Sequence, residues 1–484
     1  MRKNFIFKSC LFALASMAVV ACDDDINVGA VDTDTIAVPD NGVEVAYVTD
    51  AAGKRTYSNI EFRDNTTTQL YVNTQAPVSG ATTVTFTYDA NVLTEYNKSN
   101  GTEFKAMPQS FVSFDNGGVA TIAAGTNKAV VEYTLTSDGS LDHKENYVIP
   151  LKVTISGAAQ LGENDNTKII FVRDLTNLPD ATKYVKDANG NMVPGVKIFS
   201  CPEVNDTNPL SLLSFTLKNS GKPMFDAIVL FSSNINYNTT TGRVYINNND
   251  NITAVFSNYD KYLKPLKDRG IKIYLSILGN HDCAGISTLA DETAREFAKE
   301  IKAMCDAYDL DGVFWDDEYT TDPDVLPPGF VRPINAGERA SRLIYEVWKV
   351  QPHRDNIAYN FGSTMNLQPV DGVPVCDYCQ YSFNNYGAAN DLTQQYPGMP
   401  RSNVGLWSQE FAQGNTAPTY GLEQIRNEGW GCHMIFAMNP IDKSHGGPRE
   451  DWVVMMMSIS LNNMARILFD DELVDDGVRY PVDW

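Results

Sequence analysis

The pattern of apolar and polar positions is most informative at Leu310–Glu318, which reads LDGVFWDDE. Val313, Phe314 and Trp315 form an apolar run too short for a helix, so they predict a buried strand that ends in Asp316, Asp317 and Glu318. Alternate strand residues share a face. Gly312, Phe314, Asp316 and Glu318 therefore point one way, and Asp311, Val313, Trp315 and Asp317 the other. The same texture recurs in AIVLFSSNINYN (227–238), KIYLSILGNHDCAGIS (272–287), NIAYNFGS (356–363), DYCQYSFNNYG (377–387) and HMIFAMNP (433–440). Each is a short apolar strand that empties into Asn, Gly, Tyr or Asp. Between them, Asp291–Tyr308, Ala336–Val350 and Asp451–Leu468 carry apolar residues at three- and four-residue spacing, the period of a helix. Strand–helix alternation repeated about eight times predicts an α/β fold, a (β/α)8 TIM barrel, assigned to residues 188–484. In such a barrel chemistry gathers at the C-terminal strand ends, where these polar residues fall.

The chain before the barrel has a different texture. Residues 42–173 are rich in Thr, Val, Tyr, Asn and Gly. Gln69–Val72, Thr82–Tyr88, Ala129–Leu135, Tyr147–Ile155 and Lys168–Val172 read as strands between turn residues, which predicts a small antiparallel β-sandwich. Residues 174–187 are expected to be a linker. At the N-terminus, Arg2 and Lys3 precede an apolar run from Phe5 to Val20, interrupted by Lys8 and closed by VVAC, so residues 1–21 read as a signal peptide. Cys22 at that point resembles the lipidated cysteine of a bacterial lipobox. Asp23, Asp24 and Asp25 resemble the surface-export signal of Bacteroidetes lipoproteins, which implies a cell-surface protein tethered to the outer membrane through residues 22–41. No other segment is expected to span a bilayer.

Composition narrows the function. With 60 acidic against 38 basic residues the formal net charge is −22, which argues against nucleic acid as a partner. The eight cysteines are scattered: Cys10 goes with the signal, Cys22 with the lipid, and the rest read as small core residues. Cys376 and Cys379 have the spacing of a metal or redox pair, but no second pair follows and the five histidines lack ligand spacing, so neither metal nor cofactor is expected. A monomer is the default.

The chemistry centres on the carboxylates. Asp316 and Glu318 would lie about 7 Å apart on one strand face. Like charges that close raise at least one pKa, which suits one group kept protonated beside one kept ionised. The local pattern equally describes a loop that caps a helix or holds a metal. The wider set of motifs resembles the family 18 glycoside hydrolases, whose fourth strand carries D-G-x-D-x-D-x-E. Asp311, Gly312, Asp316 and Glu318 are in register with it. It is most similar to the endo-β-N-acetylglucosaminidases of the endoglycosidase H type, through LFSSNINYN, LSILGNHDCAG, LDGVFWDDEYT, YNFGS, YSFNNYG and GWGCHMIFAMN in order.

The resemblance implies substrate-assisted hydrolysis in the chitobiose core of N-linked glycans, with high-mannose glycans favoured. Glu318 would be the acid, Asp316 would hold the 2-acetamido N–H, and Tyr386, or less well Tyr381, would steady the acetamido oxygen. Asn384, Asn280, His281, Asn234, Asn236, Trp407 and Phe314 are expected to contact substrate. Phe314 stands where the family has an aspartate that shares a proton with Asp316, and strand eight lacks the tryptophan floor of chitinases, although Phe436 or Met438 could replace it. A non-catalytic glycan-binding protein and a chitinase are the alternatives.

Overall fold

The fold comes from a computed structural model that describes residues 44–484 apart from 56, 188, 333–334, 417 and 442–449. The signal peptide, the tether, Cys22 and Asp23–Asp25 lie outside the described residues.

Two sheets form the N-terminal domain. One contains Val45–Asp50, Asn65–Thr74 and Lys128–Thr136. The other contains Tyr57–Phe62, Thr167–Asp174, Tyr147–Gly157 and Thr82–Tyr88. Val48, Leu70, Val72, Val84, Phe86, Ile149 and Leu151 from both sheets share one core, the alternate inward residues of a sandwich. The main ladders are antiparallel. Three parallel pairings are added, the longest between Thr167–Asp174 and Tyr57–Phe62.

The C-terminal domain is a closed barrel of eight parallel strands: β1 (Lys197–Cys201), β2 (Ala227–Asn238), β3 (Lys272–Gly279), β4 (Gly312–Asp316), β5 (Asp355–Asn360), β6 (Tyr381–Asn384), β7 (Val404–Glu410) and β8 (Cys432–Phe436). Pairing of β1 with both β2 and β8 closes the ring. Strands buried on both faces read as near-continuous apolar runs, and each face feeds its own core. Phe199, Val229, Tyr274, Phe314, Ile357, Tyr359, Phe383, Met434 and Phe436 fill the barrel. Val313, Trp315, Leu275 and Ile277 pack outward on the helices. The alternation expected for β4 is therefore observed.

Helices around the barrel include α1 (Asp250–Ser257), α2 (Asp291–Ala307), α3 (Ala336–Val350), the single turn α4 (Val375–Tyr378), α5 (Thr419–Asn427) and α6 (Glu450–Phe469). Ala294, Phe297, Ala298, Ile301 and Cys305 of α2 are buried at helical spacing. Asn249 caps α1 through the Ile252 N–H at 2.9 Å, and Asn335 caps α3 through Gly337 at 3.1 Å. The outer layer is incomplete after β1 and β6, where only 3-10 turns follow (Pro209–Ser214 and Arg401–Asn403). Beside α4 the sandwich supplies cover, with the Tyr57 ring 5.2 Å from Trp348 of α3. One expectation is corrected: the Trp452–Phe469 stretch of α6 is long and apolar enough to cross a membrane. It is nevertheless a core helix, with Leu461, Met464, Ala465 and Leu468 buried on the barrel.

The two domains are clamped rather than loosely joined. Within the expected linker, Leu175 is buried and the Arg63 guanidinium donates to the carbonyls of Leu175, Leu178 and Pro179. A hairpin of Tyr184–Lys186 and Met192–Pro194 follows. At the N-terminal mouth of the barrel, Arg173 from the sandwich reaches Asp311 at 3.0 Å, and Lys267 holds the other Asp311 oxygen at 2.6 Å. Lys272 spans Glu61 at 3.0 Å and Asp355 at 3.3 Å.

Candidate active site

The C-terminal mouth of the barrel carries the carboxylates. Asp316 is the last residue of β4 and is 2% exposed; Glu318, two residues on, is half-buried. The two carboxyl groups hydrogen-bond to each other. Burial, the Glu318 charge and that hydrogen bond push Asp316 well above the usual carboxylate range, and burial also raises Glu318. The pair thus retains a proton where an exposed pair would be ionised. The Asp316 Oδ1 atom is buried and accepts no hydrogen bond from the protein. Asp317 points the other way: its Oδ1 accepts from the Ile286 N–H at 3.1 Å, fastening the β4 end to the loop after β3.

Beneath the pair lies an aromatic column. Phe314 stacks on Tyr359 at 5.7 Å, Tyr359 stacks on Phe361 at 5.9 Å, and Phe436 lies 5.1 Å from Tyr359. Burial, Asp316 and Glu318 all raise the Tyr359 hydroxyl, which places it beside the carboxylates. Cys201 at the end of β1 is pushed up by burial, then by Glu203, Asp316 and Glu410, so two further carboxylates reach this mouth. Tyr359, Glu203 and Glu410 went unrecognised in the sequence. The same signal was present, since all three sit at or just beyond a strand C-terminus.

The other expected residues divide. Tyr386 lies in the loop after β6, half-buried, and its hydroxyl accepts from Gln413 Nε2 at 3.4 Å. Tyr381 is at the opposite end of β6, where its hydroxyl takes a hydrogen bond from Lys197 at 2.9 Å, so it cannot serve the site. His281 is exposed beside Tyr319, ring to ring 5.2 Å. Asn280 donates to Asn236 Oδ1 at 3.0 Å and Asn236 to Asp282 Oδ2 at 2.9 Å, while Asn234 donates to the carbonyls of Leu278 and Gly279, both at 3.3 Å. These three amides tie the end of β2 to the end of β3 and to the loop that follows β3. Three expected contacts are corrected. Asn384 is fully buried, with its amide on the carbonyls of Asn390, Gly405 and Leu406. Phe314 is fully buried inside the barrel and supports the site from below. Trp407 faces outward against Gly421 of α5. Phe436 belongs to the aromatic column, whereas Met438 is buried in the outer core.

Among the described residues the six cysteines are free and no cluster of potential metal ligands occurs. A proton-sharing carboxyl pair, one member of which offers a buried acceptor, beside a tyrosine hydroxyl is equipped for acid–base chemistry on a polar substrate.

Comparison with known proteins places this geometry in context. An endo-β-N-acetylglucosaminidase F1 from Elizabethkingia meningoseptica is 44% identical over 296 residues, covering 61% of this chain and 84% of the relative. An endo-β-N-acetylglucosaminidase from Flavobacterium sp. (strain SK1022) is 40% identical over 244 residues, covering 50% and 75%. The crystal structure of EndoBT-3987 from Bacteroides thetaiotamicron with a Man5GlcNAc product superposes with a TM-score of 0.77 at 29% identity, over 90% of this chain and 99% of that one. The same enzyme in complex with a Man9GlcNAc2Asn substrate gives 0.71 at 26% identity over the same shares. A family model described as an N-terminal domain matches residues 39–160.

Proposed function

The chain belongs to the endo-β-N-acetylglucosaminidases, and from that premise we propose that it hydrolyses the β-1,4 bond of the N,N'-diacetylchitobiose core of N-linked glycans, with high-mannose glycans preferred. The preference rests on likeness to an enzyme crystallised with Man5GlcNAc and Man9GlcNAc2Asn. The reaction is of the family 18 type: retaining, with the substrate's 2-acetamido carbonyl as nucleophile.

The observation that carries this reading is the buried, unpartnered Asp316 Oδ1 beside a carboxyl pair that holds a proton. An acetamido N–H donated to that oxygen stabilises the ionised form of Asp316 and tips the shared proton onto Glu318. Glu318 then protonates the glycosidic oxygen as the acetamido oxygen attacks the anomeric carbon, and the leaving N-acetylglucosamine departs with its asparagine. Tyr386 steadies the acetamido oxygen. Glu318, now ionised, takes a proton from water, which opens the oxazolinium with net retention.

Digestion of a high-mannose glycoprotein by the form that starts after Asp25 tests the reading. Mass spectrometry is expected to find one N-acetylglucosamine left on each asparagine. Binding without cleavage of any N-glycan would make this barrel a lectin, and cleavage of chitin oligomers alone would make it a chitinase. The same reading has Cys22 carry lipid that anchors a monomer on the outer face of the outer membrane. Loss of the protein from intact cells under external protease is the expected result, and a Cys22→Ala form should leave the membrane fraction.

A further inference from the structure

Past Glu318 the backbone is held in an unusual way. Tyr319 has φ = 59° and His281, in the loop after β3, has φ = 58°. Neither is glycine, and a bulky residue in the left-handed region is strained unless its surroundings enforce it. The surroundings here do so. The His281 N–H donates to the Tyr319 carbonyl at 2.9 Å and the Thr321 N–H to the Asp282 carbonyl at 2.8 Å. Two glycines allow the contact: a Cβ on Gly279 would lie 2.1 Å from the Glu318 carbonyl oxygen, and one on Gly285 would lie 2.3 Å from Thr320 Oγ1. Asp282 is itself fixed by Asn236 at 2.9 Å and by the Tyr237 N–H at 2.8 Å. This order displays the Tyr319 ring, 55% exposed and 5.2 Å from the exposed His281 ring.

The position of that ring relative to the reaction follows from the proposed function, on which this inference rests. Asp316, buried, holds the acetamide of the sugar that is attacked. Glu318, half-buried, faces the bridging oxygen. Continuing outward along the same chain brings Tyr319, which therefore lies beyond the scissile bond. We propose that Tyr319, propped by His281, is the platform for the leaving group: its ring packs against the apolar face of the asparagine-linked N-acetylglucosamine and so orients the bond toward Glu318. Aromatic rings with a polar tip suit sugars, which are apolar on the ring faces and polar at the edge. The Tyr319 hydroxyl is raised chiefly by the Glu318 charge, consistent with its place next to the acid.

A pair of substrates separates this role from a structural one. A glycoprotein carries the leaving sugar. A preformed mannosyl-N-acetylglucosamine oxazoline does not: its nitrogen takes the pair's proton from Asp316, water adds to C1 and gives its own proton to Glu318, and the bond from C1 to the oxazoline oxygen breaks to restore the acetamide. In the full chain, Tyr319→Asn removes the ring and accepts the left-handed backbone. Its kcat/KM on glycoprotein is expected to fall about tenfold, the scale of one lost ring contact, with oxazoline hydrolysis and Tm maintained. Tyr319→Phe should retain most activity on both. Equal loss on both substrates, or no loss on either, would overturn the platform while leaving the proposed function intact. A wild-type chain that cleaves no N-glycan would remove both.

Discussion

Two carboxylates on one strand, Asp311 at the foot of β4 and Asp316 at its head, have opposite fates. Both are almost fully buried, 4% and 2% exposed. Burial opposes ionisation of each. At Asp311 the cations Lys267, Arg173 and Lys272 outweigh it and hold the carboxyl below its ordinary range. At Asp316 the neighbours are Glu318 and Asp317, so burial and like charge act together and the carboxyl rises far above that range. Burial pushes both carboxyls the same way, and the charged partners decide whether it is overcome or reinforced. One end of the barrel is thereby built for cohesion and the other for proton transfer.

This contrast can be broken from either end. Glu318→Gln should have the largest effect, a fall in kcat of about 10²–10⁴, with glycan binding and Tm preserved. An activity within a few-fold of wild type would reassign the acid. Asp316→Asn should lower kcat about 10²-fold with little change in KM, and an unchanged rate would show that another group positions the acetamide. At the foot, Arg173→Ala leaves Asp311 with one cation fewer. A loss of about 3–5 kcal/mol is expected in urea unfolding, with kcat of the folded fraction unaltered. A variant as stable as wild type would mean that Lys267 alone satisfies Asp311.

The smallest effect is a matter of sign with pH. Asp311, depressed in the folded state, contributes stability above its unfolded pKa of about 4 that is lost as pH falls through its folded value. Asp316 and Glu318, raised in the folded state, contribute stability in acid that is lost as pH rises through their folded values. The Tm advantage of wild type over Asp311→Asn should therefore shrink below about pH 4. Asp316→Asn should gain on wild type as pH rises above about 4. Parallel Tm curves for the two variants would refute the contrast.

The barrel and the carboxyl pair at its mouth were legible because both depend on local order. A two-residue period sets the faces of β4, and a short apolar run followed by polar residues marks each strand's end. What escaped depends on departures from that period or on distant partners. Trp407 was expected at the site. However, β7 slips register between Gly405 and Ser408, so Leu406 and Trp407 both turn outward. Asn384 belongs by sequence to a polar strand end, yet carbonyls of the next strand take its amide nitrogen, while its buried Oδ1 accepts no hydrogen bond. Phe314 marks the missing aspartate, and its burial inside the barrel against Tyr359 follows from no local rule. The partner of Asp311 lies 138 residues earlier in the chain, out of reach of any local rule.

The Arg173–Asp311 contact also bears on modularity. A domain that could be clipped away without loss would meet its neighbour through a few solvent-exposed contacts. Here the strand that carries the acid at one end is moored at the other by a residue of the neighbouring domain. A barrel excised at residue 188 would lose the Arg173 cation from Asp311 and keep Lys267 there, at a cost in stability. The two halves of this chain are thus coupled through a buried ion pair, divisible in sequence but joined in stability.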